Sequence, residues 1–154
     1  MKKQTKAQKF NDIANAVHQI RAGEKVKRIG RKDGSIQTKP VVPCPDVPEA
    51  VVKTDCISWL RKRHIFCNGH GCGTGQIGTT DQYYTYGIKD AGDIHGILRN
   101  YGGKHFEIEC KKGTGGRLSV GQRKRMKNVR DNHGLYFVVH GVEELAFYME
   151  RYVK

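Results

Sequence analysis

The sequence predicts an α/β protein in which a small mixed β-sheet is flanked by helices. Its 154 residues are enough for one domain with an extension. Apolar residues recur at helical spacing over residues 49–63, whereas residues 104–112 alternate between apolar and polar side chains, as in a strand with one buried face. A helical segment separates this strand from the apolar run 135–139, and this order of elements is typical of a sheet covered by helices.

Residues 1–47 are predicted to form a basic N-terminal extension and a proline-rich linker, ahead of a domain at residues 48–154. Apolar residues at helical spacing indicate an amphipathic helix over residues 6–22. The polar, basic stretch 24–39 indicates a mobile arm or a loose hairpin. Four prolines from Pro40 to Pro48 then mark the domain boundary.

Each element of the domain is predicted from a local pattern. The helix over residues 49–63 has one apolar stripe, and the glycine-rich segment 67–81 is expected to be a loop. Ser119 and Gln122 form a capping box at the start of a helix that ends near Asn132. A last helix carries Leu145, Tyr148, Met149 and Tyr152 on one face. Strands are expected at residues 82–88, 93–98, 104–112 and 135–139.

The charge of the chain favours a nucleic acid as its partner. Lys and Arg number 28 against 15 Asp and Glu, a formal net charge of +13, of which residues 1–40 contribute +8 with 11 basic and 3 acidic side chains. No apolar run is long enough to span a membrane, and no secretory signal is evident, so we expect a cytoplasmic location. Five cysteines, an odd number, argue against a disulfide framework.

Three side chains predict a chemical site. Glu109 and Lys111 lie two positions apart on a strand and emerge on the same face, and a hairpin through Gly102 brings Asp93 close to them. Two neighbouring carboxylates repel each other, and a divalent cation with oxygen ligands resolves this repulsion. Mg²⁺ suits such a pair because it takes few protein carboxylates and keeps room for water and a substrate phosphate. Lys111 would supply a fixed positive charge beside the phosphate.

The same residues belong to a longer pattern. It comprises Gly92-Asp93-Ile94, Phe106-Glu107-Ile108-Glu109-Cys110-Lys111, Gly115-Gly116-Arg117-Leu118-Ser119 and Gln122. It resembles the VRR-NUC branch of the PD-(D/E)XK nucleases over about residues 48–145, and Glu49 with the apolar positions after it fits the first helix of that branch. The resemblance implies a restriction-endonuclease-like αβββαβ core.

The resemblance also implies roles for individual residues. Asp93 and Glu109 would be metal ligands, with the backbone carbonyl of Cys110 as a further ligand and Glu49 bound through water. Lys111 would be the catalytic lysine, and Gln122 would support the site from its helix.

What the resemblance implies about activity is hydrolysis of DNA phosphodiesters with Mg²⁺ or Mn²⁺. Stand-alone members of the branch form homodimers and cut branched DNA such as Holliday junctions, so duplex or branched DNA and a homodimer are expected here. A small nuclease of this kind suits a phage or a mobile element.

A basic run on and before the helix that begins near Gln122 is expected to bind phosphates. Its alternative interpretation is a solvated helix face. The residues expected to contact nucleic acid are Arg117, Arg123, Lys124, Arg125 and Lys127.

Two other functions remain open from the residues alone. The chain could be a non-catalytic nucleic-acid-binding module, with an incidental acidic pair. It could instead be a zinc-stabilised adaptor that uses Cys67, His70 and Cys72, with Cys44 or His64 as fourth ligand, although this spacing is not a strong zinc motif. His95 and His105 flank the expected site, but neither is assigned a role.

Overall fold

The computed structural model divides the chain into two units, residues 1–33 and residues 34–154. It describes residues 5–23, 33–79 and 81–153. In the first unit the described part is helix α1 (Lys6–Arg21), which begins at a capping box formed by Thr5 and Gln8. This helix confirms the one predicted over residues 6–22. Most of the arm or hairpin predicted over residues 24–39 lies outside the described residues.

The second unit is a mixed α/β fold. In chain order its elements are β1 (Ile36–Gln37), α2 (Glu49–Arg61), β2 (Phe66–Gly69), β3 (Gly73–Gln76), β4 (Tyr83–Tyr86), β5 (Ile94–Leu98), β6 (Lys104–Cys110), β7 (Arg117–Leu118), α3 (Val120–Asp131), β8 (Leu135–Val139) and α4 (Val142–Met149).

A four-stranded mixed sheet forms the centre of this unit, with strand order β2-β5-β6-β8. Strands β2, β5 and β6 are antiparallel neighbours, whereas β6 and β8 run parallel. The parallel pair is joined through α3, because a parallel connection needs a crossover. The sequence prediction of a small mixed sheet flanked by helices is therefore confirmed.

One face of the sheet packs against α2 and α4 and forms the hydrophobic core. Ile94, Phe106 and Ile108 on the sheet are completely buried, and they belong to one cluster with Leu60 of α2 and Leu145 of α4. Burying a side chain of this size contributes about 1.5–3 kcal/mol. The apolar side of the alternating strand is thus buried as predicted.

The opposite face of β6 carries two acidic side chains that are also buried. Glu107 is 0% and Glu109 is 2% exposed. Helix α3 lies over this face, since Gln122 and Arg125 both reach these carboxylates. Both faces of the strand are therefore covered, one by apolar residues and one by a polar network.

The prediction of a loop over residues 67–81 is wrong in part. Strand β2 occupies the place next to β5 in the central sheet, and β3 pairs with β4 in a separate two-stranded sheet. The strand predicted over residues 82–88 therefore lies outside the central sheet. Glycine has a low intrinsic preference for strands, but pairing with β5 and β4 overrides this preference.

Part of the predicted linker contacts the domain through hydrogen bonds. The Thr38 N–H donates to the Gly116 carbonyl (2.9 Å), and the Asp46 carboxylate accepts from the Thr114 N–H (2.9 Å). The Val41 N–H donates to the buried Glu144 carboxylate. Among the described residues, no helix combines the length and apolar character that crossing a membrane requires.

Candidate functional site

The pairing of β5 with β6 brings Asp93 and Glu109 together. Ile94 is paired with Ile108, so the residues just outside this pair, Asp93 and Glu109, face each other across the two strands on the side opposite the core. One carboxylate oxygen of Asp93 accepts a hydrogen bond from the Cys110 N–H (2.8 Å). The hairpin expected from the sequence is confirmed.

The Glu109 carboxylate is held by three donors. Its Oε1 accepts from Lys111 Nζ at 2.6 Å and from Gln122 Nε2 at 2.5 Å, and its Oε2 accepts from the Tyr136 hydroxyl at 3.2 Å. Lys111 is itself buried, with 6% of its surface exposed. The lysine side chain is therefore held inside the protein, directly against the acidic pair.

Gln122 is oriented by the start of helix α3. Its Oε1 accepts from the Ser119 N–H (2.8 Å), while the Ser119 hydroxyl accepts from the Gln122 N–H (3.0 Å). The capping box predicted from the sequence is thus present. Because the cap uses the amide oxygen of Gln122, its amide nitrogen points to Glu109 as a donor.

The pKa of Glu109 is raised to about 7, chiefly because the carboxylate is buried. The negative charge of Asp93 raises it further, whereas the hydrogen bond from Lys111 opposes the rise. Burial of the same kind raises the pKa of the Tyr136 hydroxyl. The site holds two acids against one lysine, and this excess of one acidic group suits a divalent ion with oxygen ligands.

The neighbouring Glu107 has quite different partners. Arg125 of α3 donates to both of its carboxylate oxygens, with Nε at 3.0 and 3.2 Å, and the Gly92 N–H donates to Oε2 (3.0 Å). Burial opposes ionisation of this acid, but the hydrogen bonds from Arg125 and Gly92 outweigh it and lower the pKa to about 2. Glu107 is therefore a carboxylate in a buried salt bridge.

Two histidines approach Glu107 and form with it the one group of three metal-ligating side chains found among the described residues. The ligand atoms of His95, His105 and Glu107 lie within 4.8 Å of one another. However, the guanidinium of Arg125 already supplies a cation to this carboxylate, and a metal ion there would be repelled by it. His95 Nε2 is buried and makes no hydrogen bond within the described part of the chain, and burial lowers the pKa of this ring.

The other predicted site residues lie in several places. Glu49 is the exposed first residue of α2, and within the described ranges no hydrogen bond or ion pair joins it to Asp93 or Glu109. The carbonyl of Cys110 lies between Glu109 and Lys111 in the chain, while its thiol is buried in the core. Asp93, Glu109, Lys111 and Gln122 are brought together, and Glu49 is not linked to them.

The predicted phosphate-binding residues differ in what they contact. Arg117 donates to Ser35 and Arg123 donates to the Gly34 carbonyl, so both hold the segment before β1. Arg125 is bound to Glu107, and Lys127 pairs with Asp131 at 2.5 Å. Lys124 is exposed on the same helix.

The alternative zinc set does not assemble. Cys67 is buried in the hydrophobic core, Cys72 is exposed, and the His70 ring accepts a hydrogen bond from the Ile88 N–H (3.0 Å). These three residues do not form a group of ligand atoms in the part of the chain that the structure describes. Cys67 lies in β2 and its side chain packs into the core, whereas His70 and Cys72 lie beyond the end of this strand.

Sequence reasoning missed two residues of this network. Tyr136 was expected only as part of a buried apolar strand, yet its hydroxyl reaches Glu109 because β8 runs parallel beside β6. For Glu107 the alternation predicts only a place on the polar face of the strand, with no role. One signal for these contacts is present in the sequence. Gln122 and Arg125 are three residues apart and share one face of a helix, and Glu107 and Glu109 are two residues apart and share one face of a strand. The two pairs can therefore face each other.

Comparison of the chain with protein-family models, with curated proteins and with solved structures finds no match.

Proposed function

We propose that this chain is a metal-dependent DNA endonuclease that hydrolyses phosphodiester bonds. The observation that carries the proposal is the convergence of Asp93, Glu109 and Lys111 at the paired ends of β5 and β6, with Lys111 Nζ 2.6 Å from Glu109. The net charge of +13 supports a polyanionic substrate. The sequence resemblance to VRR-NUC nucleases agrees with both.

The residues present fit Mg²⁺ or Mn²⁺. Asp93 and Glu109 offer hard carboxylate oxygens, the ligands that these ions prefer, and the Cys110 carbonyl lies between Glu109 and Lys111 in the chain. One oxygen of Asp93, Oδ2, accepts from the Cys110 N–H, and we propose Oδ1 as the metal ligand. When bound, such an ion polarises the phosphodiester and lowers the pKa of water.

The chain's own residues have separate tasks in this mechanism. Lys111 places a positive charge where the phosphate gains negative charge as water attacks the phosphorus. Gln122 and Tyr136 are positioning residues, because each holds one oxygen of Glu109. The bond between phosphorus and the 3′-oxygen breaks, which leaves a 5′-phosphate, as the resemblance implies. We further propose that a homodimer acts on duplex or branched DNA.

A cleavage assay tests this proposal. Labelled single strand, linear duplex, flap and four-way junction are incubated with Mg²⁺, Mn²⁺ or EDTA, using the wild-type chain, Lys111→Ala and Lys112→Ala. Lys112 is an exposed neighbour and serves as the matched control. We expect metal-dependent cutting that Lys111→Ala lowers by about 100- to 1,000-fold, and that Lys112→Ala largely retains.

Binding of the same DNA, measured in EDTA, completes the assay. Binding without cutting on every substrate would contradict the nuclease proposal and favour the non-catalytic nucleic-acid-binding module. Equal cutting by the wild type and Lys111→Ala would remove Lys111 from the mechanism.

A further inference from the structure

Strands β3 and β4 carry an exposed group of tyrosines. Tyr83, Tyr84 and Tyr86 have 64%, 51% and 54% of their surface exposed. We call the two strands, residues 73–76 and 83–86, the tyrosine ribbon. Moving an aromatic ring out of water is favourable. Several exposed rings on one small element therefore indicate an interaction surface.

The glycines of β3 leave room for two of these rings to lie against the backbone. Gly75 is paired with Tyr84 and Gly73 with Tyr86. A Cβ on Gly75 would lie 2.5 Å from the Tyr84 ring, and one on Gly73 would lie 2.7 Å from the Tyr86 hydroxyl. The rings therefore lie against bare backbone, with centroids 6.3 Å apart. Rings that are already fixed lose little conformational entropy when a partner stacks on them.

The segments that enter and leave the tyrosine ribbon meet at one end of it, and His70 connects this end to the backbone of Asp93. The His70 N–H donates to the Asp93 carbonyl (2.7 Å), and the Ile88 N–H donates to Nε2 of His70. Gly87, at a φ of +76°, packs so closely on Gly71 that a Cβ there would lie 2.2 Å from the Gly71 carbonyl oxygen. One end of the ribbon therefore adjoins the start of β5, where Asp93 lies.

The chemistry of the ribbon indicates what stacks on it. Strands β3 and β4 contain no charged residue, so they offer flat aromatic surface and not a phosphate site. The positive charge of the chain as a whole attracts a polyanion. A polyanion that also presents aromatic faces is a single-stranded nucleic acid, since the faces of paired bases are hidden within the duplex stack.

We propose that the tyrosine ribbon stacks on unpaired bases of a DNA single strand next to the phosphodiester held at Asp93 and Glu109. The location of the stacked bases rests on the proposed function, whereas the stacking itself does not. A nuclease with this ribbon prefers DNA that exposes unpaired bases, such as a flap or a branch point, over a continuous duplex.

Fluorescence anisotropy with labelled oligothymidine in EDTA tests the stacking without cleavage. We expect Tyr84→Ala and Tyr86→Ala to weaken binding by about tenfold each, because each removes one stacking ring. Tyr84→Phe and Tyr86→Phe keep the ring and are expected to bind within about twofold of wild type. Phe147→Ala, which removes an exposed ring from α4, is the matched control and is expected to have no effect.

The outcomes separate this inference from the proposed function. Wild-type affinity in both alanine variants, with unchanged thermal unfolding, would overturn the ribbon inference while Lys111-dependent cleavage still stood. Loss of a dimer in sedimentation, without loss of oligothymidine binding, would assign the ribbon to a second copy and also overturn it. Alanine-sensitive binding by a chain that cuts no DNA would uphold the ribbon and refute the nuclease.

Discussion

Glu107 and Glu109 lie two residues apart on the same face of β6, and both are buried beneath helix α3, yet their surroundings differ. Glu107 receives the guanidinium of Arg125, which lowers its pKa to about 2. Glu109 receives one lysine and two neutral donors, and burial, followed by the charge of Asp93, raises its pKa to about 7. Glu107 has its counter-charge in Arg125, whereas Glu109 is paired with Lys111 and has a second acid, Asp93, beside it.

This difference is the reason we propose that Glu109, and not Glu107, binds a ligand. A buried carboxylate that is fully paired fixes the position of α3 against the sheet, and it has no remaining capacity for a ligand. A buried acid beside another acid is held in an unfavourable electrostatic state, which a divalent cation would relieve. Helix α3 contacts both carboxylates, Glu107 through Arg125 and Glu109 through Gln122.

The two acids are expected to differ in how much stability is lost when the partner on α3 is removed. Arg125→Ala leaves Glu107 buried and without its counter-charge, and we expect a loss of about 3 kcal/mol in the free energy of unfolding. Gln122→Ala leaves Glu109 with Lys111 and Tyr136, and the expected loss is about 1 kcal/mol. Urea unfolding at pH 7 measures both. Equal losses would contradict the separation of roles.

The two acids are expected to change the free energy of unfolding in opposite directions as the pH rises. The folded pKa of Glu107 lies below the ordinary 4.5, so its contribution is present above pH 4.5 and is lost as the pH falls towards 2. The folded pKa of Glu109 lies above 4.5, so its contribution is present below pH 4.5 and is lost as the pH rises towards 7. Each of these contributions to the free energy of unfolding is on the order of 3 kcal/mol.

Urea unfolding from pH 3 to pH 8 checks this expectation. The free energy of unfolding attributable to these two acids should be greatest near pH 4.5. In Glu109→Gln the decline between pH 4.5 and pH 7 should become shallower, because the variant side chain does not titrate. An unchanged decline would show that another group causes it.

A smaller effect is expected at an exposed cation of α3. Lys124 is exposed, in contrast to Arg125 on the same helix, which is bound to Glu107. We expect Lys124→Ala to weaken DNA binding equally for all sequences and to lower the slope of log affinity against log salt by about one. Binding titrations at several salt concentrations measure the slope. The same slope in Lys124→Ala and wild type would place the DNA on another face.

Much of the site could be predicted from the sequence, for reasons that particular residues show. The alternation around Glu109, the turn at Gly102 and the capping box at Ser119 are local patterns, and each one correctly placed a side chain. The strand at Phe66–Gly69 was missed because it has only four residues and lies in a glycine-rich segment. Its pairing with β5 depends on distant residues, which local propensity does not report.

The roles of Glu107, Arg125 and Tyr136 could not be predicted in the same way. The two carboxylates alternate with apolar residues as exposed side chains do, and only the packing of α3 over the sheet buries them. The contact from Tyr136 depends on the parallel register of β8 beside β6. Such contacts join segments that are far apart in the chain, so the spacing of Gln122 and Arg125 shows a shared helix face but not what that face covers.

Metal binding tests most directly whether Asp93 and Glu109 form the functional pair. Mn²⁺ binding is measured by electron paramagnetic resonance for the wild-type chain, Asp93→Asn and His105→Ala, of which the last alters the histidine group at Glu107. We predict that Asp93→Asn weakens Mn²⁺ binding by more than about tenfold and that His105→Ala leaves it unchanged. Loss of binding in His105→Ala with wild-type affinity in Asp93→Asn would contradict the account.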